Sequence, residues 1–274
     1  IACGHPLTAA AAEEILRDGG NAFDAIIAAQ CMACVAEPVL ASLGGGGFLL
    51  AKSVGEHPCV YDFFVQSPAQ RSTPDEFYPI EADFGTTTQT FHIGFGSAAV
   101  PGCVAGMYAI AGASATLPMS RLVEPAVQAA RAGVIVNDFQ GYIFDIVRPI
   151  YEANSHTTQA YANARTGRRL RQGALADTLQ RLAAQGAELF YSGEIAAQPA
   201  AASSAVRLRA TGATSPRGSS NRTLRPSRST RSTASRATHQ LRWTCAPSTP
   251  SSSAIASRIR SRTRSEPSMV CART

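Results

Sequence analysis

Near residue 198 the chain changes character, and that break confines any folded core to what precedes it. Between 199 and 274 there is no Phe or Tyr and a single Trp, while Arg, Ser, Thr, Ala and Pro recur without helical or strand periodicity. A segment of this kind cannot bury enough apolar surface to offset the entropy of ordering it, so 198–274 is predicted to be disordered. Charge divides at the same place. Residues 1–200 carry 11 basic and 18 acidic side chains, whereas 201–274 carry 14 arginines, no lysine and one glutamate. The net charge of +6 therefore averages an acidic domain with a strongly basic tail, and is no evidence that the domain itself binds nucleic acid.

Residues 1–197 read as alternating helical and extended segments. "HPLTAAAAEEILRDGG" predicts a helix from about Leu7 to Asp18, stopped by Gly19-Gly20. Asn21 caps the next helix, Ala22 to about Ala36, with Asp24 near its positive end. That helix is apolar almost all round, the mark of an element buried on several sides. "FLLAKSV" and "CVYDFFV" predict a β-hairpin, and the polar stretch 67–90 is read as a loop. "FHIGFGSAAVPG" reads as a strand running into a turn, followed by a helix over "CVAGMYAIAGA". Further helices are expected over "PMSRLVEPAVQAARA", where Gly133 is the stop, from Asp138 to Tyr151, from Ala176 to Gln185 and after Ser192.

Four consecutive glycines, Gly44 to Gly47, follow a helix and open a strand. That order is the reverse of a phosphate-binding loop, and neither Gly-Lys-Ser/Thr nor Gly-x-Gly-x-x-Gly is present there. Close approach of two backbones is the reading that remains. Cys31-x-x-Cys34 lies inside the apolar helix with no second pair at zinc spacing, so both are read as core thiols and no metal is expected. His5, before Pro6, reads as a helix-entry residue. His92 alternates with apolar neighbours and could face a cleft, although a lone strand histidine more often serves a backbone partner. Arg168, Arg169 and Arg171 read as a solvated loop. No run of 18 apolar residues predicts a membrane span. The chain opens on Ile1 without a basic segment or cleavage site, which assigns neither a cytoplasmic nor a periplasmic location.

Together these segments resemble the γ-glutamyltransferase (γ-glutamyltranspeptidase, glutathione hydrolase) family. The resemblance rests on "ILRDGGNAFDA", "LGGGGF", "VPGCVAGMYA", "LPMSRLVEPAVQAARAGVIVND" and "LFYSGEIA" in that order, and covers residues 1 to about 197. It implies an α+β N-terminal-nucleophile hydrolase fold, four-layer αββα, of which 1–197 is the N-terminal part of the large subunit and therefore incomplete. It also implies a precursor that cleaves itself, freeing a threonine that attacks the γ-glutamyl amide of glutathione or a similar small molecule. The γ-glutamyl-enzyme then passes its acyl group to water or an acceptor amine. The free α-amine of such a threonine can take its hydroxyl proton, and glycine amides can hold the oxyanion, so no cofactor is implied. The family's central sheets draw strands from both subunits, so this segment alone would leave apolar sheet faces uncovered.

The resemblance also has departures. "YDFFVQSPA" stands where many members have Asp-x-Arg-Glu-x-Ala-Pro: Asp62 matches, but Phe64 occupies the place of the arginine that pairs with substrate carboxylate, and Val65 that of the glutamate. Asp62 and Phe64 are the candidate substrate-facing residues, and Gly44, Gly45, Gly46 and Gly47 the structural glycines beside the cleft. "RRLRQGALADTL" is short near Gly173–Leu175, which could remove the start of a helix. No threonine in the tail stands in a Thr-Thr-x-Tyr/Phe context, so no catalytic residue is assigned in this chain. Out-of-frame translation of GC-rich DNA accounts for the composition of 198–274. The other reading is a basic arm that binds nucleic acid non-specifically.

Overall fold

The computed structural model describes residues 1–67 and 77–197; the expected disorder of 198–274 falls outside the described residues. The first helix, α1 (Pro6–Arg17), is entered through His5, whose Nδ1 accepts the Leu7 N–H at 3.1 Å, the helix-entry role expected of it. Helix α2 (Ala22–Ala36) begins with a capping box: the Asn21 side chain accepts from Phe23 and Asp24 N–H, and the Asp24 carboxylate accepts from Asn21 N–H at 2.8 Å. Ten of its 15 residues are buried, as its uniform apolarity requires. Gly19 at φ +88° makes the turn between the two helices.

Strands β1 (Gly47–Ala51) and β2 (Cys59–Phe63) form the expected antiparallel hairpin, with Phe48 opposite Asp62 and Leu50 opposite Val60. Leu49, Tyr61 and Phe63 turn inward onto the main core. The other face carries Phe48, Leu50 and, just past the strand, Phe64, at 62%, 68% and 54% exposure, so the hairpin is apolar on both sides.

The loop expected over 67–90 is corrected. Strands β3 (Tyr78–Asp83) and β4 (Thr88–Ile93) pair antiparallel across a turn in which Gly85 takes φ +84°. The end of β4 is the strand expected from Phe91, but of the two strands only Ala82 is fully buried, so no apolar alternation announced β3 or residues 88–90; the ladder rests on backbone pairing and on contacts such as Thr90 Oγ1 to Glu81 Oε1.

Helices α3 (Cys103–Ser114) and α4 (Met119–Ala132) follow, and α4 stops at Gly133 with φ +86°, as expected. Strand β5 (Val134–Ile135) pairs with β6 (Arg169–Leu170). The arginine stretch 168–171 is thus not simply a solvated loop: Leu170 is buried, and the Arg169 guanidinium donates to the Gly133 carbonyl at 2.9 Å. Between these strands lie α5 (Asp138–Glu152) and α6 (Ser155–Ala160), the latter not foreseen. Helix α7 (Gly173–Gln185) starts at Gly173, so the shortened connection has not removed its first turn. It is followed by α8 (Glu188–Tyr191), and helical backbone resumes at 194–197, in keeping with the helix expected after Ser192.

The main core joins α1, α2, α3, α4, α7 and α8 through Ile15, Ile27, Val35, Val104, Leu122, Leu179 and Phe190, among others. A smaller cluster gathers Val136, Phe144, Ala164 and Leu170. Asp24, fully buried, ties the α1–α2 corner to the α3–α4 connection. Its carboxylate accepts from Thr116 N–H, Thr116 Oγ1 and Leu117 N–H at 2.9, 2.6 and 3.0 Å.

Candidate active site

Three stretches of backbone meet around Phe63: the glycines 44–47, the end of β2 with residues 64–66, and the approach to α3 at 100–103. Gln66 and Val100 bond each other in both directions, at 3.1 and 2.7 Å. The Gly45 carbonyl accepts the N–H groups of both Gly102 and Cys103, at 2.9 and 3.0 Å. A Cβ on Gly46 would lie 2.6 Å from the Phe63 carbonyl oxygen, and one on Gly102 would lie 1.9 Å from the same atom. A Cβ on Gly106 would enter the Phe63 ring. Gly44 and Gly45 have more room. The close approach expected of the glycine run therefore centres on Gly46, and its counterparts are Gly102 and Gly106. Sequence reasoning missed those two; their signal was the four-residue spacing in "PGCVAGM", which puts both glycines on one side of the α3 start.

Asp62 and Phe64 lie at the rim of this junction, both exposed. Asp62 Oδ1 accepts the Phe64 N–H at 3.1 Å, a local turn at the strand end. The Phe64 ring stacks on Phe48, with centroids 5.4 Å apart and planes 12° from parallel. The position where a guanidinium was expected thus presents an aromatic surface without donors. Asp62, Phe64, Gly46 and Gly47 lie at one corner of the structure, around the end of β2. His92 is not in that corner's contacts: it is exposed and stacks on Phe77 at 4.4 Å.

The first turn of α3 receives a partner from far along the chain. Tyr191 Oη accepts the Ala105 N–H at 3.0 Å and donates to the Pro101 carbonyl at 2.9 Å. Burial pushes this phenol up to about 12, so it remains a donor at neutral pH. Beneath the same turn lie Cys34 of α2 and Cys103 of α3, both buried, as the core-thiol reading of Cys31 and Cys34 expected.

A family model described as gamma-glutamyltranspeptidase matches residues 8–206. The chain belongs to the gamma-glutamyltranspeptidase family. Among curated relatives of this transpeptidase-family chain, the glutathione hydrolase proenzyme of Escherichia coli (strain K12) is 32% identical over 191 residues, 68% of this chain and 32% of the relative. The capsule biosynthesis protein CapD proenzyme of Bacillus anthracis is 32% identical over 200 residues, 72% of this chain and 34% of the relative. Among solved structures, the gamma-glutamyltranspeptidase from Pseudomonas nitroreducens complexed with L-DON is similar at a TM-score of 0.62 and 27% identity, over 73% of this chain and 59% of that one. The chain spans about a third of the length of these curated relatives. Its mixture of helices and small sheets is of the α+β class. Among the described residues, no helix is long and apolar enough to cross a membrane.

Proposed function

We propose that residues 1–197 are the N-terminal part of the large subunit of a γ-glutamyltransferase-type enzyme, which hydrolyses or transfers the γ-glutamyl group of glutathione-like amides. The observation that carries this reading is the family match over residues 8–206. In this reading the attacking threonine and the oxyanion glycines come from a segment outside the match. In the same reading the glycine corner around Phe63 lies beside the substrate and Asp62 and Phe64 face it, which is supported by the close backbone approach at Gly46 and Gly102 and by the exposure of Asp62 and Phe64. Phe64 offers no donor to a substrate carboxylate, so the acyl donor is oriented differently here or differs in kind from that of arginine-bearing members. The exposed Phe48, Leu50 and Phe64 would be covered by further strands of a four-layer αββα fold, which supports the view that more chain completes the sheet at this hairpin.

Residues 198–274 are proposed to be out-of-frame translation, on the compositional break alone. Reading the coding DNA from codon 190 onward in the other two frames tests this. The expected result is a frame that continues the large subunit and reaches a Thr-Thr segment. The frame-restored protein should then split itself into two subunits and turn over a γ-glutamyl anilide, whereas the chain of 274 residues should do neither. If both frames are closed by stop codons, the arginine-rich tail belongs to the protein, and a nucleic-acid-binding role replaces the enzymatic one. Turnover by the 274-residue chain itself would also overturn the reading.

A further inference from the structure

The buried thiols between α2 and α3 have no part in the chemistry above, and their arrangement suggests one. Gln30, partly buried on α2, points its Nε2 at two sulfurs at once: Cys34 Sγ at 3.8 Å and Cys103 Sγ at 3.6 Å. One amide nitrogen thus reaches both sulfurs, which places Cys34 and Cys103 on the same side of it at the α2–α3 interface. Cys31, one turn before Cys34, turns instead to Met107, with its Sγ 3.7 Å from the thioether sulfur. Among the described residues no three His, Cys, Asp or Glu side chains converge as a metal site would need, so the cluster is a thiol pair with a bystander.

We propose that Cys34 and Cys103 are an oxidisable dithiol, which a small peroxide converts to a disulfide joining α2 to α3. The site does not rest on the catalytic reading above. Cys103 is the sulfur that reacts first. It opens α3, where the helix dipole favours an anion, and it receives hydrogen bonds from Cys34 and Gln30 that hold its thiol below the ordinary value despite burial. Cys34 is held well above the ordinary value, because it gives its proton to the Cys103 sulfur and is buried. Burial pushes Cys31 up to about 12 and keeps it protonated.

The steps balance. The Cys103 thiolate attacks one oxygen of hydrogen peroxide; an S–O bond forms, the O–O bond breaks, and hydroxide leaves and is protonated to water. The Cys34 sulfur then attacks the sulfenic sulfur of Cys103, the S–S bond forms, and the S–O bond breaks. The departing hydroxide takes the Cys34 proton as a second water. Two thiols and one peroxide give one disulfide and two waters. The two sulfurs must close to about 2.05 Å to make the bond. Because the Cys103 N–H also holds the Gly45 carbonyl, the bridge would fasten the glycine corner to α2 as well.

The full chain, treated with hydrogen peroxide under native conditions, then alkylated and digested with trypsin, should yield peptide 18–52 linked to peptide 72–121, reversed by dithiothreitol. In urea the same treatment should give mixed pairings that include Cys3 and Cys59. Cys31→Ser should keep the native cross-link; Cys34→Ser should abolish it and leave Cys103 to proceed to the sulfinic acid. A native chain that forms no 18–52/72–121 link, or gives the same pairings folded and unfolded, overturns the proposal. So does a link that survives Cys34→Ser or disappears with Cys31→Ser. If Cys34→Ser does not fold, the native-against-urea comparison of the parent chain decides.

Discussion

Asp24 offers the sharpest test of how the helical layer is held. Its carboxylate is fully buried and collects four donors: the Asn21 N–H, the Thr116 N–H and hydroxyl, and the Leu117 N–H. Asp24→Asn keeps the volume and one acceptor oxygen, which can still serve Thr116 and Leu117. The new NH₂ group, however, confronts the partly buried Asn21 N–H, leaving that donor without a partner at about 1–3 kcal/mol. Loss of the negative charge at the α2 N-terminus adds about 0.5–1 kcal/mol. The variant should therefore be about 2–3 kcal/mol less stable at pH 7. With a urea slope of roughly 1–3 kcal/mol/M, the midpoint followed by ellipticity at 222 nm should fall by about 1–2 M.

The deficit should depend on pH. Burial by itself pushes the Asp24 carboxyl up, but the Thr116 hydroxyl and the three N–H donors together outweigh it and hold the group below its ordinary value. A depressed folded-state pKa contributes stability that is fully present above the unfolded value, about 3.9, and is lost as pH falls through the folded one. The gap between parent and variant should thus be constant from pH 7 to about 5 and shrink below about 4. A gap below 0.5 kcal/mol at pH 7, or one that stays the same down to pH 3, would refute the reasoning.

Other substitutions probe the remaining contacts. Gly102→Ala should destabilise by more than about 3 kcal/mol or prevent soluble expression, because its Cβ would overlap the Phe63 carbonyl. Gly112→Ala, in the same helix but with nothing within 4 Å, should raise the urea midpoint by the equivalent of about 0.5–1 kcal/mol. If the two behave alike, the close approach at Gly102 is wrong. Tyr191→Phe strips the Ala105 N–H and Pro101 carbonyl of a shared partner and should cost about 1–3 kcal/mol in the same assay. Arg121, which bridges Glu14, Asp18 and Glu124 on the surface between α1 and α4, should contribute only about 1 kcal/mol, less in 1 M salt; a salt-independent loss on Arg121→Ala would point to packing instead.

How much of this was legible beforehand depended on whether an element's reason for existing was local. The capped start of α2 and the stops at Gly19 and Gly133 are chemistry of neighbouring residues, and the sequence shows them directly. Strand β3 and the first half of β4 were missed because a mostly exposed ladder needs no apolar alternation, and β6 because its two residues hide inside an arginine cluster. At the candidate site the difficulty was of another kind. Gly46 looked like one of four equivalent glycines, yet its constraint comes from Phe63–Val65, and the constraint on Gly102 from the same carbonyl. A requirement for the absence of a side chain is set by whatever lies opposite, which local sequence does not state. The same holds for Phe64. Read alone, it is a strand residue of high β-propensity; the structure adds that it is exposed and stacked on Phe48 next to the glycine corner, the place the proposed function gives to the substrate. Phe64→Arg should therefore alter which acyl donor a frame-restored enzyme accepts, changing KM for carboxylate-bearing γ-glutamyl compounds far more than the stability of the fold, since an exposed ring makes few contacts to lose.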